Sequence, residues 1–180
     1  MIISGLLCFK LRHLLDLTCW YRVIAKVENI HWEDINTLDI KVKGASDNLI
    51  VTGGDDAIIN VLDKRLLGDE SHQTVGRFFG HNSGITSIDL TDNCTYVASN
   101  GKDQCVKLWD IRKMNPPSFY STVIRKSVDY DYRNTKWDKS KEFVHEADNS
   151  IFTFRGHNTH FTLIRCKFSP QSWTNQRYIA

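Results

Sequence analysis

Apolar residues recur at every second position in short runs, and clusters of polar and small residues separate those runs. Leu38-Asp39-Ile40, Ile88-Asp89-Leu90 and Val106-Lys107-Leu108 are examples. A period of two over four to eight residues is the pattern of a half-buried β-strand. It predicts strands near Ile35–Ile40, Leu49–Thr52, Ile58–Leu62, Arg77–Phe79, Ile85–Leu90, Tyr96–Ser99 and Val106–Asp110. Later strands are expected near Ile151–Phe154, Thr162–Phe168 and Arg177–Ala180. Gly53-Gly54, Asp92-Asn93 and Asn100-Gly101 are of the residue types that turns select, so turns are expected there.

The strands belong to a repeat. Residues 49–65 read LIVTGGDDAIINVLDKR and residues 96–112 read YVASNGKDQCVKLWDIR. Both give apolar residues, a small hydroxyl residue, an Asp, an apolar run and then x-Asp-x-Arg. His31 lies upstream of the first copy and Gly80-His81 upstream of the second, while Gly156-His157 opens a third. Four short antiparallel strands per unit, headed by Gly-His and tailed by Trp-Asp, are the signature of WD-repeat β-propellers. The expected fold is therefore all-β: a WD40-type β-propeller fragment over residues 28–180, with an insertion at 113–150. At about 40–45 residues per blade, the chain should hold about two full blades plus parts of two neighbours. Propellers close with about four to eight blades, so the natural chain is expected to extend beyond both ends. Residues 1–27 carry no such mark and stay unassigned, although Trp20–Val27 could form the last strand of a preceding blade.

The residue types marked within one unit have a chemical reason to occur together. In a WD repeat, Asp accepts from a His ring, the ring bonds a Ser or Thr hydroxyl, and the hydroxyl accepts from a Trp indole. Buried polar groups destabilise a fold unless they are paired. In the second unit these residues are His81, Ser99, Asp103 and Trp109; in the first they are His31, Thr52 and Asp56, with Leu62 at the Trp position. Leu62 cannot donate, so that chain should be one link shorter. His157 should head a third chain. A hydrolase reading of Ser99, His81 and Asp103 is set aside, because the Ser lies within a strand and has no nucleophile elbow around it.

Composition narrows the function classes. Apolar residues are 41% and charged residues 24%, with a net charge of +2 and signs interleaved along the chain. That is a solvated surface without the basic face of a nucleic-acid binder. The five cysteines (Cys8, Cys19, Cys94, Cys105, Cys166) form no C-x-x-C pair and are expected as reduced thiols. His157 and His160 are the only close His pair, so no metal site or other cofactor is expected. The apolar opening of the chain has no preceding charge and is cut short by Lys10, Arg12 and His13. It fits neither a signal peptide nor a membrane helix. A soluble protein of the cytoplasm and nucleus, with no membrane partner and no catalytic residues, is expected.

Several segments resemble one WD-repeat group specifically. They are Gly53 to Ile58, Gly84-Ile85-Thr86, Lys102-Asp103-Gln104 and Lys107 to Arg112, followed by Asp131-Tyr132-Arg133, Arg155-Gly156-His157 and Thr162 to Pro170. In this order they resemble the WD-repeat substrate receptors of cullin-four RING ubiquitin ligases. The resemblance implies a scaffold that docks on the ligase adaptor with one surface and holds protein substrates with another. It also implies that the tail Trp-Asp-x-Arg is the adaptor-binding mark. Trp109, Asp110 and Arg112 match it in full; in the first copy only Asp63 and Arg65 remain, with Leu62 in place of the Trp. A WD scaffold of an assembly unrelated to ubiquitin is the alternative. In the insertion, Tyr120, Tyr130, Tyr132, Trp137 and Phe143 stand among charges that nearly cancel. They suit a loop packed on a blade edge or a contact for a partner.

Overall fold

A computed structural model describes the backbone of His13–Asp16 and Arg22–Lys26, and residues 30–41, 48–67, 74–118, 128 and 130–180. Tyr120, Cys8, Cys19 and the rest of residues 1–27 lie outside the described residues. Strands β1 (His13–Asp16) and β2 (Arg22–Lys26) form an antiparallel pair, and β2 falls within the stretch expected to be a strand.

Two four-stranded antiparallel sheets follow. The first runs β3 (Ile35–Ile40), β4 (Leu49–Gly54), β5 (Ile59–Asp63) and β6 (Thr74–Phe78) in sequence order. The second is built from β7 (Ile85–Leu90), β8 (Tyr96–Gly101), β9 (Cys105–Asp110) and β10 (Phe152–Arg155). These are the two predicted blades. The repeat straddles them: the strand that leads into Gly80-His81 is the last of the first sheet, and the strands after it form the second.

Two expected turns are placed differently. Gly53-Gly54 and Asn100-Gly101 end strands β4 and β8, and the chain reverses one step later, through Ala57 (φ 62°) and Gln104 (φ 61°). Gly53 is needed for another reason. A Cβ there would stand 2.7 Å from Ile85 Cγ2, so the glycine lets the second blade approach the first. Asp92-Asn93 does form a turn.

The main core lies between the blades. Val51, Ile59, Val61 and Phe78 from the first meet Ile85, Ile88, Leu90, Val97 and Trp109 from the second. Phe78 and Trp109 pack with ring centroids 5.2 Å apart and planes tilted by 34°. The other face of the first blade buries Ile30, Ile50 and Leu62. Side chains on β3 also hold the backbone of β7. Asn36 Nδ2 donates to the Ile85 carbonyl (3.0 Å), Thr37 Oγ1 accepts from Ile88 N–H (3.1 Å) and Asp39 accepts from Leu90 N–H (2.7 Å).

The same relation recurs one step further on. Asp89 accepts from Phe168 N–H (2.7 Å) and Lys167 Nζ (2.8 Å), and Asn100 Nδ2 donates to the Ile164 carbonyl (2.8 Å). Residues 163–168 thus stand on β7 as β7 stands on β3, in the place of a third blade's first strand. Regular strands over 162–168 and 177–180 do not form, contrary to the alternation. Lys167 and Ala180 exchange two backbone hydrogen bonds (2.8 and 2.9 Å), Ser169 N–H reaches the Tyr178 carbonyl (2.8 Å), and the short helix α1 (Gln171–Thr174) connects them. Beyond this short pairing, the Ile164 carbonyl and Phe168 N–H are held by side chains of the second blade.

The insertion returns along the outer edges of both blades. Asn115 pairs with Arg77 on β6 through two backbone bonds (2.9 and 2.8 Å). Further along, Asp148 meets Gly80, whose φ of +151° and lack of a Cβ admit the carboxylate. Lys107 Nζ holds Asp148 (2.6 Å) and Thr153 (2.9 Å) beside it.

On β10, Phe154 takes the place that Phe78 has on β6, but it is 49% exposed where Phe78 is 1% exposed. Phe78→Ala is therefore expected to cost about 3–5 kcal/mol of stability. Phe154→Ala in this chain should cost far less. Urea unfolding curves of the two variants check the difference, and equal losses would contradict the inter-blade core.

Candidate protein-docking site

The predicted polar chain is present in the second blade. Strand β8 places Ser99, the turn before β9 places Asp103, β9 places Trp109, and the segment after β6 places His81. His81 Nδ1 lies 3.1 Å from Asp103 Oδ2, His81 Nε2 lies 2.7 Å from Ser99 Oγ, and Trp109 Nε1 donates to Ser99 Oγ at 2.8 Å. Asp103 also accepts from the amides of Asn82 (2.8 Å) and Cys105 (3.2 Å). Burial by itself would raise the Asp103 carboxyl. The His81 ring and these amides outweigh it and hold the carboxyl below its ordinary value. Ser99 has no exposed surface, and its hydroxyl is engaged on both sides.

The first blade carries the shortened chain. His31 Nδ1 lies 2.9 Å from Asp56 Oδ1, and His31 Nε2 lies 2.9 Å from Thr52 Oγ1. Leu62, at the Trp position, is buried and packs with Ile30 and Ile50. Sequence reasoning missed two further members at one repeat position. In the first blade it is Asn60, whose Nδ2 donates to the Ile30 carbonyl (3.2 Å) and whose Oδ1 accepts from Arg77 Nε (2.7 Å). In the second it is Lys107, which anchors the insertion. The available signal was a polar residue in the middle of an apolar strand, in Ile59-Asn60-Val61 and Val106-Lys107-Leu108.

His157 is half-buried, and its Nε2 is buried without a partner among the described residues. Burial lowers its pKa, against the pull of Asp103. Lys167 pairs with Ala180 as Asp89 pairs with Ala98.

At the far end of each blade the x-Asp-x-Arg tail forms an identical corner. Asp63 and Asp110 cap 3₁₀ turns (Lys64–Leu66 and Ile111–Lys113) at φ −101° with ψ 121° and 120°. Asp110 accepts Arg112 N–H (3.0 Å), Arg112 Nε (2.9 Å) and Arg112 Nη2 (2.7 Å). Asp63 accepts Arg65 N–H (2.9 Å), Nε (3.1 Å) and Nη2 (2.6 Å). Hydrogen bonds from Arg112 and Arg65 are the main cause that keeps both carboxyls below their usual range. Both arginine side chains remain outside, 72% exposed at Arg112 and 71% at Arg65. Loss of the Trp has thus left the Arg65 corner unchanged. A guanidinium has five N–H donors, and the carboxylate brace engages two. The end-on pair across Nη1 and Nη2 is left unused by the brace.

Asp131 and Arg133 make a similar brace within the insertion (Nε 3.2 Å), so the corner chemistry also occurs outside a blade. No group of three His, Cys, Asp or Glu suited to a metal ion occurs among the described residues. Burial pushes the thiols of Cys105 to about 12 and Cys166 to about 11, which keeps them protonated at neutral pH. No helix among the described residues is long and apolar enough to cross a membrane.

Residues 72–110 match the family described as WD domain, G-beta repeat, over a stretch that covers β6 to β9. With the two blades and their polar chains, this defines the class: a WD-repeat protein built of propeller blades. Within that class the chain is similar to the DDB1- and CUL4-associated factor 11 homolog of Caenorhabditis elegans, at 36% identity over 88% of this chain and 28% of that protein. The protein of the same name from Caenorhabditis briggsae is 35% identical over the same shares. The LEC14B homolog of Prunus armeniaca is 40% identical over 83% of this chain and 31% of its own length. The chain spans less than a third of the length of these relatives.

His81→Ala and Asp103→Ala are each expected to cost about 1–3 kcal/mol, the range for a buried polar group left unpaired. The double variant should cost less than their sum, because both break one chain. Denaturant curves of the four forms measure the coupling, and simple additivity would contradict it. The lowered carboxyl also sets a pH dependence. Stability from Asp103 is present above the unfolded carboxyl value of about 4 and is lost as pH falls through that value and below. Asp103→Asn should flatten the acid limb of a melting-temperature profile.

Proposed function

We propose that this chain is part of a substrate receptor of a cullin-four RING ubiquitin ligase, docking on the ligase adaptor through the Asp–Arg corners. The observation that carries the reading is the braced and outward-facing guanidinium of Arg112, repeated at Arg65. Interface arginines contribute most when they are held before the partner arrives, since less side-chain freedom is then lost on binding. The carboxylate brace does this, and the remaining donors suit carbonyl or carboxylate oxygens of a partner. The names of the nematode relatives, which associate those proteins with DDB1 and CUL4, support the choice of partner. Polar chains whose groups are spent on holding the blades support a protein-binding scaffold.

Arg112→Glu is expected to abolish capture of the adaptor in a pull-down while leaving the melting temperature nearly unchanged, since truncating a hot-spot arginine costs about 2 kcal/mol or more of binding. Arg65→Glu should weaken capture as well, because its corner keeps the same geometry without a Trp. Full adaptor capture by a folded Arg112→Glu protein would overturn the docking role and leave a WD scaffold of some other assembly.

A further inference from the structure

The insertion and the start of the third repeat enclose a cleft of about 390 Å³ at the other end of the second blade. Its lining includes Gln104, Lys136, Trp137, Lys139, Glu142 and Arg155. Position along the strand fixes which end this is. Arg155 pairs with Cys105, the first residue of β9, whereas Arg112 follows Asp110, the last. A six-residue strand separates them by about 20 Å, at about 3.3 Å per residue.

The cleft is cationic. Its one carboxylate, Glu142, is already engaged at both oxygens: Oε1 accepts from Trp137 Nε1 (2.9 Å) and Oε2 from Arg155 Nη1 (2.7 Å). Lys136 and Lys139 face it without an ion pair among the described residues. Asp138, between them in sequence, turns its carboxylate to Ser140 N–H (3.0 Å) and Ser140 Oγ (2.7 Å). The wall is firmly built as well. Trp137 is buried and packs edge-on against buried Tyr130, with ring centroids 5.1 Å apart. Phe161 N–H donates to the Tyr132 carbonyl (2.9 Å), and Thr159 Oγ1 donates to the Lys102 carbonyl (3.1 Å), tying this part of the insertion to the blade end. The buried Nε2 of His157 is not part of the case.

We infer that this cleft binds an anionic side chain, carboxylate or phosphate, on a protein segment, which Lys136 and Lys139 attract beside the rigid Trp137–Glu142–Arg155 wall. The volume falls within the range of small-ligand pockets, about 300–1,000 Å³, and admits one or two side chains. Charge complementarity at such a rim sets encounter and choice of partner. The role of the cleft as the place where a ligase target is held rests on the receptor reading above; the binding itself does not.

The test is fluorescence anisotropy of the full chain with three labelled peptides: one rich in glutamate, its phosphoserine counterpart, and a lysine-rich control. Both anionic peptides should bind, the lysine-rich one should not, and added salt should weaken the complex. The double variant Lys136→Glu/Lys139→Glu should bind them at least about tenfold more weakly. Its surface changes leave the melting curve and adaptor capture in place. Whichever anionic peptide binds more tightly identifies the natural anion. No binding of either, or binding undiminished in the folded double variant, overturns the inference. Because the peptide assay contains no adaptor, a failure of Arg112 docking would leave its result unaffected.

Discussion

A carboxylate buried between two β-strands is the constraint on which this structure depends. Asp103 is almost fully withdrawn from water, where an isolated charge would cost several kcal/mol. It stays ionised because His81 and two backbone amides surround it. The His81 ring is then fixed at its second nitrogen by Ser99, and Ser99 is fixed by the Trp109 indole. One chain of four side chains therefore ties the segment leaving one blade to three positions of the next. It makes the repeat straddle two sheets, and it makes each blade a clasp for its neighbour.

The two copies differ in instructive ways. Leu62 removes the indole link in the first blade, yet the Asp63 corner beyond it has the same backbone angles as the Asp110 corner. The corner is a local structure: a carboxylate caps a 3₁₀ turn and braces the arginine two residues on. The polar chain holds the interior of a blade, while the corner shapes its rim. By that separation, reversing the surface charge at Arg112 is expected to leave the core in place. In mid-strand, Lys107 takes the position of Asn60 and reaches Asp148 instead of a neighbouring carbonyl. The insertion is thus fastened to the same strand that carries Trp109.

Much of this was legible in the sequence. Strands Ile35–Ile40 and Ile85–Leu90 follow from alternation alone, because one face of each meets a core. His31, Thr52 and Asp56 in one chain and His81, Ser99, Asp103 and Trp109 in the other followed from the repeat alignment, since only particular donor and acceptor types can close such a chain; Asn60 and Lys107 did not. Gly53 misled, because a glycine needed for close approach of a neighbouring blade looks the same as a glycine needed for a turn; Gly101 instead leaves room for Asp103 and His81 of its own polar chain. The segment 162–168 alternates like a strand but satisfies its backbone through Asp89 and Asn100, which no local pattern reveals. The bracing of Arg112 by Asp110 was also hidden. A basic and an acidic residue two apart in sequence are common, and only the 3₁₀ turn brings them together.

The central claim is that the indole of Trp109 closes a buried chain through Ser99. Solvent exchange of the indole N–H protons, followed by ¹⁵N-resolved NMR, tests it directly. Trp173 is 86% exposed and Trp32 is 42% exposed, whereas Trp109 has no exposed surface. The Trp109 resonance should persist long after transfer to heavy water, when those of Trp173 and Trp32 have vanished. A Trp109 indole that exchanges as fast as that of Trp173 would contradict the account.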